Sequence, residues 1–260
     1  MTEPNDGSRR RFLLTTVVGG LGAAGALVVS SCSSGTRQPA TSTLAASPTP
    51  GSPPPQSGSV PAPAPLAANA DEALRLLTDG NQRYVENRAQ HVDDDANRRI
   101  AVRSSQVPFA TILSCVDSRV PVELVFDRGL GDLVVIRSAG EVLDRSVIGS
   151  LEFGVAELNT PLLMVLGHQR CGALTAAAKA YDKKSVDQGD LAYLEQALAP
   201  AVVEADGQPG DRITNAVRAN VGQVLGQLRG SPLIGPLEKQ GKIKLIGAYY
   251  SLDTGHVDLL

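Results

Sequence analysis

Two short stretches hold residue types that do chemistry together: Cys115-Val116-Asp117-Ser118-Arg119 and His168-Gln169-Arg170-Cys171. Two thiols and an imidazole are three ligands for a borderline-soft ion. Three protein ligands with one position left open is the pattern of a catalytic zinc site. Asp117 and Arg119 place a carboxylate and a guanidinium beside the first thiol, groups that tune a metal from its outer shell. Taken singly the residues say less. A lone buried cysteine is usually a small hydrophobe, and Cys115 with Cys171 could form a disulfide in an exported chain. A structural disulfide has no use for His168, Asp117 and Arg119, so the constellation points to a metal.

Elements must bring these stretches together. Each follows an apolar run, residues 109–113 and 162–166, that reads as a buried parallel strand. Ligands of open α/β sheets bind beyond the carboxyl ends of such strands, so both stretches are expected in one crevice. Further strands are predicted over 133–136 and 243–251, with Asp253-Thr254-Gly255 turning into a short terminal strand. Asn69 followed by Glu72 signals a helix start, with Leu74, Leu77, Tyr84 and Val85 in loosely helical spacing. Asp93-Asp94-Asp95 reads as a solvated turn before the next helix. Pro121 suits the first turn of a short helix over 121–126. Ser146 opens a helix carrying Ile148, Leu151, Val155 and Leu158, and Gly172 opens an Ala-rich helix that runs to Ala180. Residues 182–190 read as loop, and 191–199 and 211–228 as helices. Strands alternating with helices predict an α/β domain over 70–260: a mostly parallel central sheet flanked by helices, with an antiparallel C-terminal strand.

The first 69 residues are of another kind. Arg9-Arg10-Arg11-Phe12-Leu13 leads an apolar stretch diluted by Gly19, Gly20, Gly22 and Gly25, the n-region and h-region of an export signal. It resembles a twin-arginine signal, and Val29-Ser30-Ser31-Cys32 resembles a lipobox, which would make Cys32 a lipidated N-terminus after cleavage. The competing reading, an uncleaved membrane helix, is weakened by Thr15, Thr16 and the four glycines. Residues 33–69 are rich in Pro, Ser, Thr and Ala and read as an extended disordered tether. The expectation is a signal over 1–32, a linker over 33–69, and an enzyme outside the cell or on the periplasmic side, held to the membrane only through the lipid anchor. The chain carries a net charge of −3, and because the first 69 residues are net basic the rest is mildly acidic, so there is no electrostatic case for nucleic acid.

The two motifs, Cys-x-Asp-x-Arg and His-x-x-Cys, stand 53 residues apart from Cys115 to His168. Together, each at a strand end, they resemble the β-class carbonic anhydrases. Gly80-Asn81-Gln82-Arg83-Tyr84, Gly131-Asp132-Leu133 and Arg137-Ser138-Ala139-Gly140 extend the resemblance, with Ser138 where the family usually has Asn. It implies the family fold, one Zn2+ per chain held by Cys115, His168 and Cys171, and reversible hydration of CO2 to bicarbonate through zinc-bound hydroxide. It gives Asp117 two roles. Paired with Arg119, it leaves the fourth position to water and accepts a proton; freed, it becomes a fourth metal ligand and closes the site. It also implies a homodimer or tetramer, with the first helix packing on a partner subunit unless it is an ordinary amphipathic helix. Gln106 would reach a substrate pocket across that interface, unless it is simply an exposed residue before Pro108. Gly172 opens a helix whose amides lie near the anionic ligands, which suggests a steric and electrostatic part in substrate binding. One branch of the family shuts its site through a bicarbonate pocket. The matching positions here are Ile112, Arg137 and Phe153, two of which lack the hydrogen-bonding tips, so that switch is expected to be absent. Arg137 has a structural alternative, bonding strand-end carbonyls. His91 and His256 stand outside any motif and read as surface histidines.

Three rivals share these residues. The scaffold could hydrolyse CO2 analogues such as carbonyl sulfide or carbon disulfide. It could be a non-catalytic surface zinc protein with Asp117 as fourth ligand. It could be a thiol redox protein in which Cys115 and Cys171 oxidise and no metal binds.

Overall fold

A computed structural model describes residues 66–185 and 187–260. The export signal, Cys32 and most of the proline-rich tether lie outside the described residues. Among those described, no helix is long and apolar enough to cross a membrane.

Five strands form one sheet in the order β2-β1-β3-β4-β5. They are β1 (Ala110–Ser114), β2 (Leu133–Arg137), β3 (Leu162–His168), β4 (Lys244–Tyr250) and β5 (Val257–Leu259). The first four pair in parallel, and β5 runs antiparallel to β4. All of β1 and β3 is buried, because helices cover both faces of a parallel sheet and polar alternation has no place there. Leu162, Met164 and Leu166 face one layer, and Leu163 and Val165 face the other. The first layer contains α1 (Ala70–Val85) and α3 (Val122–Val125); α2 (Ala96–Val102) precedes β1. The second layer contains α4 (Arg145–Glu152), α7 (Arg212–Arg229) and α8 (Ile234–Lys239). A further cluster joins α5 (Gly172–Lys183), α6 (Asp190–Ala205) and α7, and both site cysteines belong to it.

Helix α1 starts where the capping signal placed it, with the Asn69 side chain accepting from the Glu72 amide at 2.9 Å. Its buried face is Ala73, Leu77, Gly80 and Asn81, rather than the row ending in Val85, which is exposed. A Cβ at Gly80 would lie 1.8 Å from the Phe126 carbonyl oxygen, so only glycine allows this approach. Asn81 donates to the carbonyls of Val125 and Gly255 and accepts from the Val257 amide, while Arg83 pairs with buried Asp127 at 2.6 Å. The Gly80–Tyr84 stretch therefore ties α1 to α3 and to the C-terminal hairpin of its own chain.

Other expectations shift at their ends. The helix expected to stop at residue 199 continues as α6 through Pro200 to Ala205. Pro200 lies on the exposed side, where the carbonyl it leaves unpaired meets water, while Ala201, Val202 and Ala205 bury on the other side. The loop expected over 182–190 is shorter, because α5 runs to Lys183 and α6 begins at Asp190. The single helix expected from Ser146 to Leu158 is α4 followed by a π turn, Phe153–Glu157. Within that turn Gly154 sits against Thr111, and a Cβ there would meet its hydroxyl at 2.3 Å.

Candidate metal centre

The strand order places the site. From β1 the chain moves first to β2 on one side and then to β3 on the other. The carboxyl ends of β1 and β3 therefore flank a topological switch point, the usual ligand crevice of such sheets. Cys115 follows β1, His168 ends β3 and Cys171 caps α5.

All three side chains are buried, and their ligating atoms lie within 4.8 Å of one another. The two sulfurs are 4.0 Å apart and both cysteines are free. That is about twice an S–S bond of ~2.05 Å, and close to the ~3.8 Å between two thiolates sharing one tetrahedral zinc with Zn–S near 2.3 Å. His168 Nδ1 lies 3.0 Å from the Gln169 carbonyl. A carbonyl only accepts, so Nδ1 carries the proton and Nε2 presents its lone pair. That Nε2 is buried with no hydrogen-bond partner among the described residues. An orphaned buried acceptor facing two thiols fits a metal ion better than any protein partner.

The two thiols hold unequal shares of charge. Cys115 is drawn well below an ordinary thiol, first by the Cys171 S–H and also by the Gly140 amide, which donates to its sulfur at 3.3 Å. Cys171 is pushed up by that neighbouring thiolate and by burial. The two thiols thus differ in how readily they ionise, and a divalent ion held here would favour the thiolate form of both.

Asp117 is held by Arg119 through three bonds: Nε to Oδ1 at 2.9 Å, Nη2 to Oδ2 at 2.8 Å and the Arg119 amide to Oδ1 at 3.0 Å. The guanidinium keeps this carboxyl far below the usual carboxylate range. Its Oδ2 still lies 3.9 Å from His168 Nε2, so the carboxylate stands beside the metal position while committed to Arg119. Arg137 donates Nε to the Cys115 carbonyl at 2.8 Å and Nη2 to the Asp117 carbonyl at 2.5 Å, which fixes the loop that carries both residues. Ile112 is fully buried in β1, and Phe153 is 52% exposed. With Arg137 spent on backbone carbonyls, these three positions form no polar pocket.

A pocket of about 320 Å3 opens on this cluster, and Cys115, Val116, Asp117, Ala139, Gly172 and Ala173 contribute to its wall. A Cβ at Gly172 would meet nothing within 4 Å. The fold itself therefore does not demand glycine here, and the residue lines the pocket without a side chain. Gln106 precedes β1, at the opposite end of that strand from Cys115, and is exposed; it contributes nothing to this pocket within its own chain.

Three contributors were not expected from the sequence. Gly140, at φ 62°, aims its amide at Cys115, and a Cβ there would lie 2.9 Å from Leu198. Asn220 holds the Gly140 carbonyl at 2.8 Å and Glu141 Oε2 at 3.2 Å. Glu141 is buried behind the thiols, and burial first, then the charge of Cys115, pushes its carboxyl well above the usual range. A glycine following Arg-Ser-Ala is the one signal that could have found them. Nothing local marks Asn220, which is 80 residues from Gly140.

The carbonic anhydrase family model matches residues 110–257, a span that runs from β1 to β5 and holds every ligand of the cluster. This chain belongs to the β-class carbonic anhydrase family. It is 35% identical over 192 residues to carbonic anhydrase 2 of Mycobacterium tuberculosis, covering 74% of this chain and 93% of the relative. It is 32% identical over 195 residues to the carbonic anhydrase of Pseudomonas aeruginosa, covering 72% and 87%. Among solved structures, the β-carbonic anhydrase of Coccomyxa superposes with a TM-score of 0.56 at 24% identity, over 72% of this chain and 86% of that one. The tetrameric β-carbonic anhydrases of Sordaria macrospora give 0.57 at 19% identity, over 72% and 96%. At those identities the structural likeness speaks for the fold, and the sequence relatives carry the family. The chain is thus a carbonic anhydrase in enzyme class.

Proposed function

We propose that this carbonic anhydrase catalyses the reversible hydration of carbon dioxide to bicarbonate with one zinc ion per chain, held by Cys115, His168 and Cys171. The observation that carries the proposal is the buried, unpartnered Nε2 of His168 facing two thiols 4.0 Å apart, with Asp117 retained by Arg119. Bound zinc would supply Lewis acidity, which makes water a nucleophile near neutral pH.

The chain's own residues do the rest. Arg119 keeps Asp117 ionised and turned from the metal position, which leaves the fourth position for solvent. Asp117 Oδ2 lies beside that position, where it would accept a hydrogen bond from the solvent and orient it. The mainly apolar pocket suits a small nonpolar substrate, and Gly172 keeps its wall low. This open arrangement favours an enzyme over the non-catalytic reading, which needs Asp117 on the metal.

Stopped-flow CO2 hydration by the zinc-loaded chain tests both the activity and its regulation. Turnover is expected at neutral pH, and added bicarbonate is expected to inhibit weakly and without cooperativity. Activity confined to alkaline pH, or steep cooperative inhibition by bicarbonate, would mean that Asp117 closes the site. The assembly is proposed to be a homodimer or tetramer, as in the tetrameric Sordaria enzymes, with Gln106 serving a partner's pocket. Export and lipidation at Cys32 complete the proposal; loss of the chain from the membrane fraction in C32S is the check.

A further inference from the structure

Only Gln169 and Arg170 separate the ligands His168 and Cys171, and both are gripped by one residue from the other end of the chain. Gln169 Nε2 donates to Asp253 Oδ2 at 2.8 Å, and the Asp253 amide returns a bond to Gln169 Oε1 at 3.1 Å. The Arg170 guanidinium spans the same carboxylate, Nη2 to Oδ1 at 2.5 Å and Nη1 to Oδ2 at 3.3 Å. These bonds hold the Asp253 carboxyl below its usual range, so it stays charged across working pH. The grip is needed. Arg170 has φ 53°, a left-handed backbone that a side chain of this size avoids unless its surroundings impose it. The Gln169 amide adds a bond to the Tyr250 carbonyl at 2.8 Å, which docks the loop on β4, whose end leads into the turn bearing Asp253.

The left-handed turn at Arg170 has a second consequence. It presents the Arg170 carbonyl to Arg119, which donates Nη2 to it at 3.3 Å. The same nitrogen holds Asp117 Oδ2. Asp253, Arg170, Arg119 and Asp117 thus form a continuous chain of polar contacts from the β4–β5 turn to the metal position. Neither Arg170 nor Asp253 touches the ligating atoms.

We propose that Asp253 is a positioning residue for the metal centre: by clamping Gln169 and Arg170 it fixes the span between His168 and Cys171 and presents the Arg170 carbonyl that steadies Arg119. The proposal rests on the reading of Cys115, His168 and Cys171 as metal ligands. Exposed ion pairs contribute little to global stability, so a positioning role separates cleanly from a structural one: the metal should respond and the fold should not.

The test uses the full, zinc-loaded enzyme and follows zinc transfer to a chromogenic chelator, with a second sample loaded with cobalt(II) for visible spectroscopy. D253A is expected to release zinc roughly 10 times faster than wild type, the low end of the 10–100-fold loss of metal affinity that follows removal of a partner bonded to a ligand directly. Its cobalt ligand-field bands should shift, because they report ligand geometry, and its Tm should stay within a few degrees of wild type. D253N keeps the side-chain volume and one accepting oxygen, and should fall between the two; it decides the matter if D253A does not fold. E238A breaks a comparable pair, Arg229 Nε to Glu238 at 3.1 and 3.2 Å between α7 and α8, and should change neither readout. Wild-type release rate and unchanged bands in D253A would overturn the proposal, as would an E238A variant that behaves like D253A. A folded wild-type chain that takes up no stoichiometric zinc would remove the metal-ligand reading itself, and the proposal with it.

Discussion

C171A and H168A are each expected to leave the purified chain with far less than one zinc and to lower CO2 hydration by about a thousandfold or more. The size follows from what the ion does. Lewis-acid stabilisation by a catalytic metal is worth several kcal/mol, and each ~1.4 kcal/mol is a factor of ten in rate. Removing Cys171 also leaves Cys115 without the S–H that holds its thiolate low. Removing His168 takes away the buried lone pair that has no protein partner among the described residues. Metal analysis and stopped-flow assay on the same samples are the check. Stoichiometric zinc with near-normal turnover in either variant would mean that the metal sits elsewhere.

D117N should lower turnover at neutral pH by about a hundredfold or more while zinc content stays near one per chain. Losing one preorganised electrostatic partner of the reacting atoms costs about 10²–10³ in rate, and the amide keeps the shape but not the charge. R119A should also retain zinc and lose activity, for a different reason. Without its three bonds to Arg119, Asp117 is free to turn toward the metal position, since its Oδ2 already lies 3.9 Å from His168 Nε2. The double variant separates the roles. If Arg119 acts through Asp117, then D117N/R119A should be no slower than D117N alone, a non-additivity expected of residues that work as a unit. Fully additive losses would show that Arg119 acts on substrate directly.

The clustering of Cys115, His168 and Cys171 is legible in the sequence because strand ends are legible. Apolar runs at 109–113 and 162–166 fall within one residue of the starts of β1 and β3, and a cysteine or histidine directly after such a run has few places to go. The adjacency of Asp117 and Arg119 makes their pairing readable too, since two residues apart in a loop they can meet without help from the rest of the fold. Boundaries fail where burial overrides local signal. The helix read over 191–199 continues as α6 through Pro200 to Ala205, because Ala201, Val202 and Ala205 bury on the side away from the proline.

The family, the alternation of strands and helices, the Cys115, His168 and Cys171 cluster and the Asp–Arg pair can all be read from the linear chain, because each depends on residue type and on local pattern. The state of the site belongs to the folded molecule alone. The Gly140 amide on Cys115, Asn220 behind it, the buried Glu141 carboxyl that Asn220 holds, and Asp253 clamping the loop between His168 and Cys171 all join positions tens of residues apart. No periodicity or motif records such contacts; they exist only once the β1–β3 switch point and the β4–β5 turn have been brought to the same edge of the sheet.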